Sequence, residues 1–166
     1  MKFFLKLLIF TGVFIFTSCS SEPSSKVDND TISEVFEVKN VSFTSSNSFS
    51  TFVDLNPSIY SSDVILVYRL SGNDQGKNVW KLIPESYYFN DGTFDFGYNF
   101  DFTQDDIKIY MNGKNLGTVA NSFRFNQVFR IVIVPGSSSQ NLNKNNLEDV
   151  LNALNKDENS IQKINF

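Results

Sequence analysis

The sequence predicts a mainly β protein: an antiparallel β-sandwich of about seven strands, Ig-like in general architecture, with one α-helix near the C-terminus packed on it. Three observations lead there. From Glu34 onward, Gly, Pro, Asn, Asp and Ser punctuate the chain at short intervals, and the runs between them are β-branched and aromatic. Phe94 to Phe102 reads Phe-Asp-Phe-Gly-Tyr-Asn-Phe-Asp-Phe, with a ring at every even position. Alternation across a strand puts those rings on one face, whereas helical spacing would scatter them around the axis. With 166 residues, 41% hydrophobic and 19% charged, the chain suits one compact domain.

Residues 1–18 come first. Lys2 and Lys6 precede the apolar run Leu7 to Phe16, and small Thr17 and Ser18 follow, the pattern of a secretory leader. Polar Ser20, Ser21 and Glu22 end the run before the roughly 20 apolar residues a membrane-spanning helix needs. Cys19 is the only cysteine, and Phe16-Thr17-Ser18-Cys19 resembles a bacterial lipobox, with Phe16 where leucine is usual. The resemblance implies a lipidated Cys19 as the mature N-terminus and a cell-envelope location, in the outer membrane facing either the periplasm or the surface. A thiol is the better nucleophile for such acylation, and two or three acyl chains at about 0.8 kcal/mol per buried methylene hold a domain on a bilayer. Residues 19–33, with hardly an apolar side chain, read as a flexible tether.

Residues 34–166 form the single domain. Half-buried strands are expected at Val35 to Thr44, Phe49 to Leu55, Val79 to Ile83, Tyr87 to Asn90 and Ile107 to Met111. Asp63 to Leu70 and Val128 to Val134 are apolar on both faces and read as central strands covered on both sides. Ser71 to Asn78 reads as a long hairpin loop, Asp91-Gly92 and Asn112-Gly113 as tight turns, and Pro84 as a break. All five rings of Phe94 to Phe102 are expected inside. Leu147, Val150, Leu151 and Leu154 fall on one helical stripe, with Asn145 and Glu148 as a capping box, placing the helix at 145–155; Ile161, Ile164 and Phe166 continue its cover.

The absence of histidine from the sequence excludes Ser-His-Asp and Cys-His catalysis, and a lone cysteine excludes an intrachain disulfide. Asp91, Asp95, Asp101, Asp105 and Asp106 are the remaining candidates for a two-carboxylate hydrolase. Asp95 and Asp101, however, stand about 20 Å apart along one strand, beyond the roughly 5 to 9.5 Å such a pair needs. Asn73 to Asn78 lacks the ligand pattern of a calcium loop. No catalytic residue, metal site or cofactor is therefore assigned. Arg69 and Arg130 sit inside apolar strands, where an unpaired charge is costly, and are expected either to face the open side or to pair with an Asp across the sheet, with structural ion pairing favoured over ligand recognition. Losing Lys2 and Lys6 with the leader takes the formal charge from −4 to −6, which disfavours nucleic acid as a partner.

Two binding readings remain. Trp80, Tyr88 and Tyr110, with Tyr87 and Tyr98 beside them in the sequence, are the candidate rings for a surface that stacks a glycan. The other partner is a protein of the envelope. Asp63 to Leu70, Val79-Trp80-Lys81-Leu82-Ile83-Pro84, Tyr87-Tyr88-Phe89 and Gln127 to Pro135, behind a lipoprotein leader, together resemble a family of small lipoproteins of the Bacteroidetes type. Some members carry collagen-like repeats after the cysteine, and this chain has none there. The resemblance implies an address and brings no activity, substrate or catalytic residue. The expectation is a non-enzymatic lipoprotein of the envelope, anchored through Cys19, that binds or scaffolds, with glycan capture as the alternative and a carboxylate hydrolase as the third class.

Overall fold

The computed structural model describes residues 33–140 and 142–166. The leader, Cys19 and residues 19–32 of the expected tether lie outside them. Ser33, assigned to the tether, is buried at the start of the domain.

Nine strands among the described residues make two packed sheets. They are β1 (Glu34–Val41), β2 (Ser50–Asp54), β3 (Val64–Asp74), β4 (Lys77–Leu82), β5 (Glu85–Tyr88), β6 (Phe94–Phe102), β7 (Asp106–Gly113), β8 (Gln127–Val134) and β9 (Gln162–Asn165). One sheet has the order β4-β3-β8-β1-β9 and the other β2-β7-β6-β5. The sandwich is thus the one expected, with a C-terminal helix. Its ninth strand was read only as continued cover, and it pairs parallel to β1 where every other pair is antiparallel.

Alternation fills the space between the sheets. Val38, Ile65, Val67, Phe129, Ile131 and Ile133 from the larger sheet meet Val53, Phe96, Tyr98, Ile107, Ile109 and Met111 from the smaller. The opposite faces of β3 and β8, carrying Leu66, Tyr68, Val132 and Val134, are also buried, under Ile161 and under Leu147, Val150 and Leu151 of α2 (Leu147–Ala153), which follows the one-turn helix α1 (Asn121–Arg124) in chain order. Both strands are therefore covered on both sides, as their apolar runs require. The helix begins one residue later than its expected cap: Asn146, not Asn145, accepts from the backbone N–H groups of Glu148 (2.9 Å) and Asp149 (3.3 Å). The Tyr68 hydroxyl donates to the Lys144 carbonyl at 2.7 Å and ties the helix approach to the sheet.

Three local expectations are corrected. Ser71 to Asn78 is not a long loop, because β3 and β4 stay paired to Asp74↔Lys77 and only Gln75-Gly76 turn. Both have positive φ, 48° and 86°, and the Asn73 side chain accepts from Gly76 N–H at 2.9 Å, the geometry of a two-residue hairpin. Asn112-Gly113 is strand rather than turn, paired with Gly97 and Phe96; a Cβ at Gly113 would lie 2.7 Å from the Asp95 carbonyl oxygen. Of the five rings in β6, Phe96 and Tyr98 are buried and Phe100 half-buried, while Phe94 and Phe102 are exposed at the strand ends, where the facing sheet no longer reaches. Pro84 does mark a break: after Ile83 the chain leaves one sheet, and at Glu85 it joins the other opposite Tyr98.

Phe96→Ala should cost about 3 to 5 kcal/mol through lost burial and the cavity left behind, whereas Phe102→Ala, 46% exposed, should cost under about 1 kcal/mol. Chemical denaturation of the two variants checks this, and equal losses would contradict the ring placement.

Candidate functional site

Two arginines occupy neighbouring rungs of the central ladder, Arg69 opposite Phe129 and Arg130 opposite Tyr68. Because side chains alternate, Arg69 points between the sheets and Arg130 to the outer face of the larger sheet. Both pair as the sequence requires, but with glutamates rather than aspartates. A partner on the next strand or across the sheets must span about 5 Å or more, and the longer acid reaches.

Inside, Arg69 Nε donates to Glu85 Oε2 at 2.9 Å, Nη1 to Gln127 Oε1 at 3.2 Å and Nη2 to the Tyr87 hydroxyl at 2.5 Å. The Tyr87 hydroxyl donates in turn to Glu85 Oε1 at 2.7 Å, and the guanidinium carbon lies 4.6 Å from the Tyr98 ring centre. Burial and the Glu85 carboxylate push the Tyr87 hydroxyl up to about 12. This cluster is spent on itself and is structural.

Outside, the register lines up Leu82, Tyr68, Arg130, Glu37 and Lys163 across five strands. Arg130 Nη2 donates to Glu37 Oε2 at 2.6 Å, and Nη1 to Glu158 Oε1 at 2.8 Å from the turn before β9. Its guanidinium carbon sits 4.2 Å from the Trp80 ring centre, and Lys39 Nζ closes on Glu37 Oε1 at 3.2 Å. The Arg130 side chain is 4% exposed, yet its Nε is buried with no hydrogen-bond partner among the described residues. Burial raises the Glu37 carboxyl, but the hydrogen bonds from Arg130 and Lys39 outweigh it and hold the group below its ordinary value.

This patch opens into two adjoining cavities. One, about 310 Å³, is lined by Leu70, Asn78, Trp80, Val128, Arg130 and Lys163 among others. The second, about 740 Å³, shares Asn78, Trp80, Arg130 and Glu158 and runs toward Leu151 and Lys156 between the β3–β4 hairpin and α2. α2 covers the half of the sheet around Val132 and Val134, and the cavities occupy the other half.

Of the three candidate rings, only Trp80 lies here. Tyr88 is 62% exposed and packs edge-on to Phe94 at 5.9 Å. Tyr110 is on the outer face of the smaller sheet, with Lys108 Nζ 5.5 Å from its ring. Trp80 and Tyr110 therefore face opposite sides of the sandwich, and the three make no common surface. The candidate acids are similarly dispersed into turn chemistry: Asp91 accepts from Thr93, Asp105 from Ser58 and Asp106 from Thr103. Among the described residues no group of three or more His, Cys, Asp or Glu is placed to hold a metal ion, and no helix is long and apolar enough to cross a membrane. The sequence reading missed Glu37 and Glu158; the legible signal was Glu37 inside the apolar stretch Val35 to Val38, an acid in a strand as anomalous as the arginine it pairs with.

No family model matches the chain, and neither does any curated protein or solved structure.

Because the Glu37 and Glu85 carboxyls are held below their ordinary value of 4.5 in the fold, each contributes stability that is present above that value and lost as pH falls through the depressed one. Denaturation midpoints should fall as pH drops below about 4.5, and Glu85→Gln, less stable at neutral pH, should flatten that dependence. An unchanged acid slope in the variant would show that Arg69 and Glu85 are not coupled.

Proposed function

We propose that this chain is a non-enzymatic lipoprotein of the cell envelope, held on the outer membrane through a lipid on Cys19, whose β-sandwich binds its ligand in the cavities over Trp80 and Arg130. The observation that carries the binding reading is the pair of adjoining cavities, about 310 and 740 Å³, that share the half-buried Trp80 ring and the Arg130 ion-pair network.

The acids of this cavity argue against hydrolysis. Glu37 accepts from Arg130 and is held below its ordinary value, whereas a general acid at neutral pH needs a carboxyl raised; Glu158 is engaged by Arg130 as well. The anchor reading rests on the leader and on Phe16-Thr17-Ser18-Cys19. It also agrees with the direction of the domain. The chain joins the larger sheet at Glu34, opposite Ile133, whereas the cavities reach toward Asn78 and the Gln75-Gly76 turn at the far end. A tether at one end would present the binding end away from the membrane.

Two measurements test the two halves. A clickable fatty acid should label the wild-type chain and leave Cys19→Ala unlabelled in cells; equal labelling would remove the anchor. Trp80 is the only tryptophan, so its emission reports on the cavity directly. Detergent-solubilised envelope material should shift that emission in purified Cys19→Ala chain, and no shift at saturating material would remove the binding site.

A further inference from the structure

Strand β4 pairs with β3 and, among the described residues, with nothing on its other side. At six residues it is the longest such edge, against five in β2 and four in β5 and β9. Successive residues of an antiparallel strand turn their N–H and C=O groups toward one neighbour and then the other. The Ile83 N–H donates to the Val67 carbonyl of β3 at 2.9 Å, and Lys77 closes the two-residue hairpin opposite Asp74. Alternation between those two points aims Val79 and Lys81 at β3 as well, and aims Asn78, Trp80 and Leu82 at the free edge. Three N–H groups and three carbonyls in a row thus lie open to a further strand.

The side chains divide in the same way. Asn78, Trp80 and Leu82 stand on the outer face of the larger sheet, with Trp80 and Leu82 half-buried. Lys77, Val79 and Lys81 turn to the inner side, where the smaller sheet does not cover them, and all three are exposed. Lys77 makes no ion pair among the described residues, and Lys81 meets only Glu85, at 3.2 Å. Lys77, Lys81 and the Arg69 that already serves Glu85 stand against Asp74 and Glu85, so the edge keeps one net positive charge, although the whole chain is formally −4. A second copy of β4 laid along this edge would set lysine near lysine, which disfavours pairing of the chain with itself.

From this we propose that the free edge of β4 docks an extended segment of a partner protein in which apolar and acidic residues alternate, adding it as a sixth strand to the larger sheet. The apolar set lies over Trp80 and Leu82, and the acidic set lies beside Lys77 and Lys81. Backbone hydrogen bonds supply the affinity and the two side-chain rows supply the selectivity. The inference goes beyond the cavity reading above: Trp80 borders both surfaces, but the edge requires nothing of Arg130 or of α2.

The test uses the Cys19→Ala chain and capped peptides long enough to span Lys77–Leu82, one alternating Glu with Val and one alternating Lys with Val, followed by calorimetry and by amide hydrogen exchange. The Glu–Val peptide should bind at least about tenfold more tightly than the Lys–Val peptide. It should slow exchange at Asn78, Trp80 and Leu82 and leave Lys77, Val79 and Lys81 as they were. In an antiparallel pair the residues opposite Trp80 and Leu82 direct their N–H groups at β4, so N-methylation of every Val should abolish binding and N-methylation of every Glu should spare it. Lys77→Glu, at an exposed position, should narrow the preference for the acidic peptide without lowering the melting temperature. Equal affinity of the Glu and Lys peptides would overturn the acidic assignment, and equal effects of the two methylations would overturn strand addition. Silence of both peptides would overturn the whole proposal, and a Trp80 emission shift with envelope material in that same chain would leave the cavity reading standing.

Discussion

A guanidinium between two sheets must be neutralised where it stands, and much of this fold follows from how Arg69 is served. Its partner Glu85 belongs to the other sheet, and it is only three residues beyond Leu82, the last residue of β4. The crossing at Ile83-Pro84 therefore has two effects at once: it moves the chain between sheets and delivers the counter-charge. Tyr87 and Gln127 fill the remaining donor sites, and Tyr98 supplies a ring face. Removing Arg69 or Glu85 alone would leave a buried charge uncompensated, typically a loss of about 3 to 5 kcal/mol, so the cluster also discriminates against a slipped register in β3, which would send Arg69 to the other face.

Arg130, one rung away on the neighbouring strand, meets the same requirement with a different result. On the outer face the cover is partial: α2 seals Leu66, Tyr68, Val132 and Val134, but it is seven residues long and stops short of the hairpin end. Glu37 arrives by strand register and Glu158 by the turn before β9, so the ion pairs also fasten the C-terminal segment to the sheet. The pairing leaves the buried Nε without a partner among the described residues, because the two carboxylates occupy the outer nitrogens.

Aromatic content misleads as a guide to a binding face in this chain. Phe and Tyr together number 24, and a sandwich has an interior able to absorb many of them. Tyr98, Phe43 and Phe129 pack at 6.0 to 6.2 Å between ring centres, and Tyr87 stacks on Phe96 at 4.5 Å. Rings outside that interior, such as Tyr88 and Tyr110, are separated by the thickness of the domain from Trp80, the ring that lines the outer-face cavities.

The sequence by itself determined the fold class, the approximate positions of β1 to β8 and the two-sided burial of β3 and β8, because periodicity of two, turn residues and unbroken apolar runs are local properties. It also marked Arg69 and Arg130 as charges needing partners, since the cost of burying them is evident from their neighbours alone. The tertiary structure alone decided that the partners are Glu85, Glu37 and Glu158, which stand 16, 93 and 28 residues away. It decided that the outermost rings of β6 escape the core, because strand length exceeds the width of the facing sheet. It decided, finally, that Trp80 shares its cavity with Arg130 while Tyr88 and Tyr110 do not. Alternation fixes which residues of one strand share a face, but which face of one sheet looks toward which face of another is set by the crossing at Ile83-Pro84 and by the helix that covers only half of what remains.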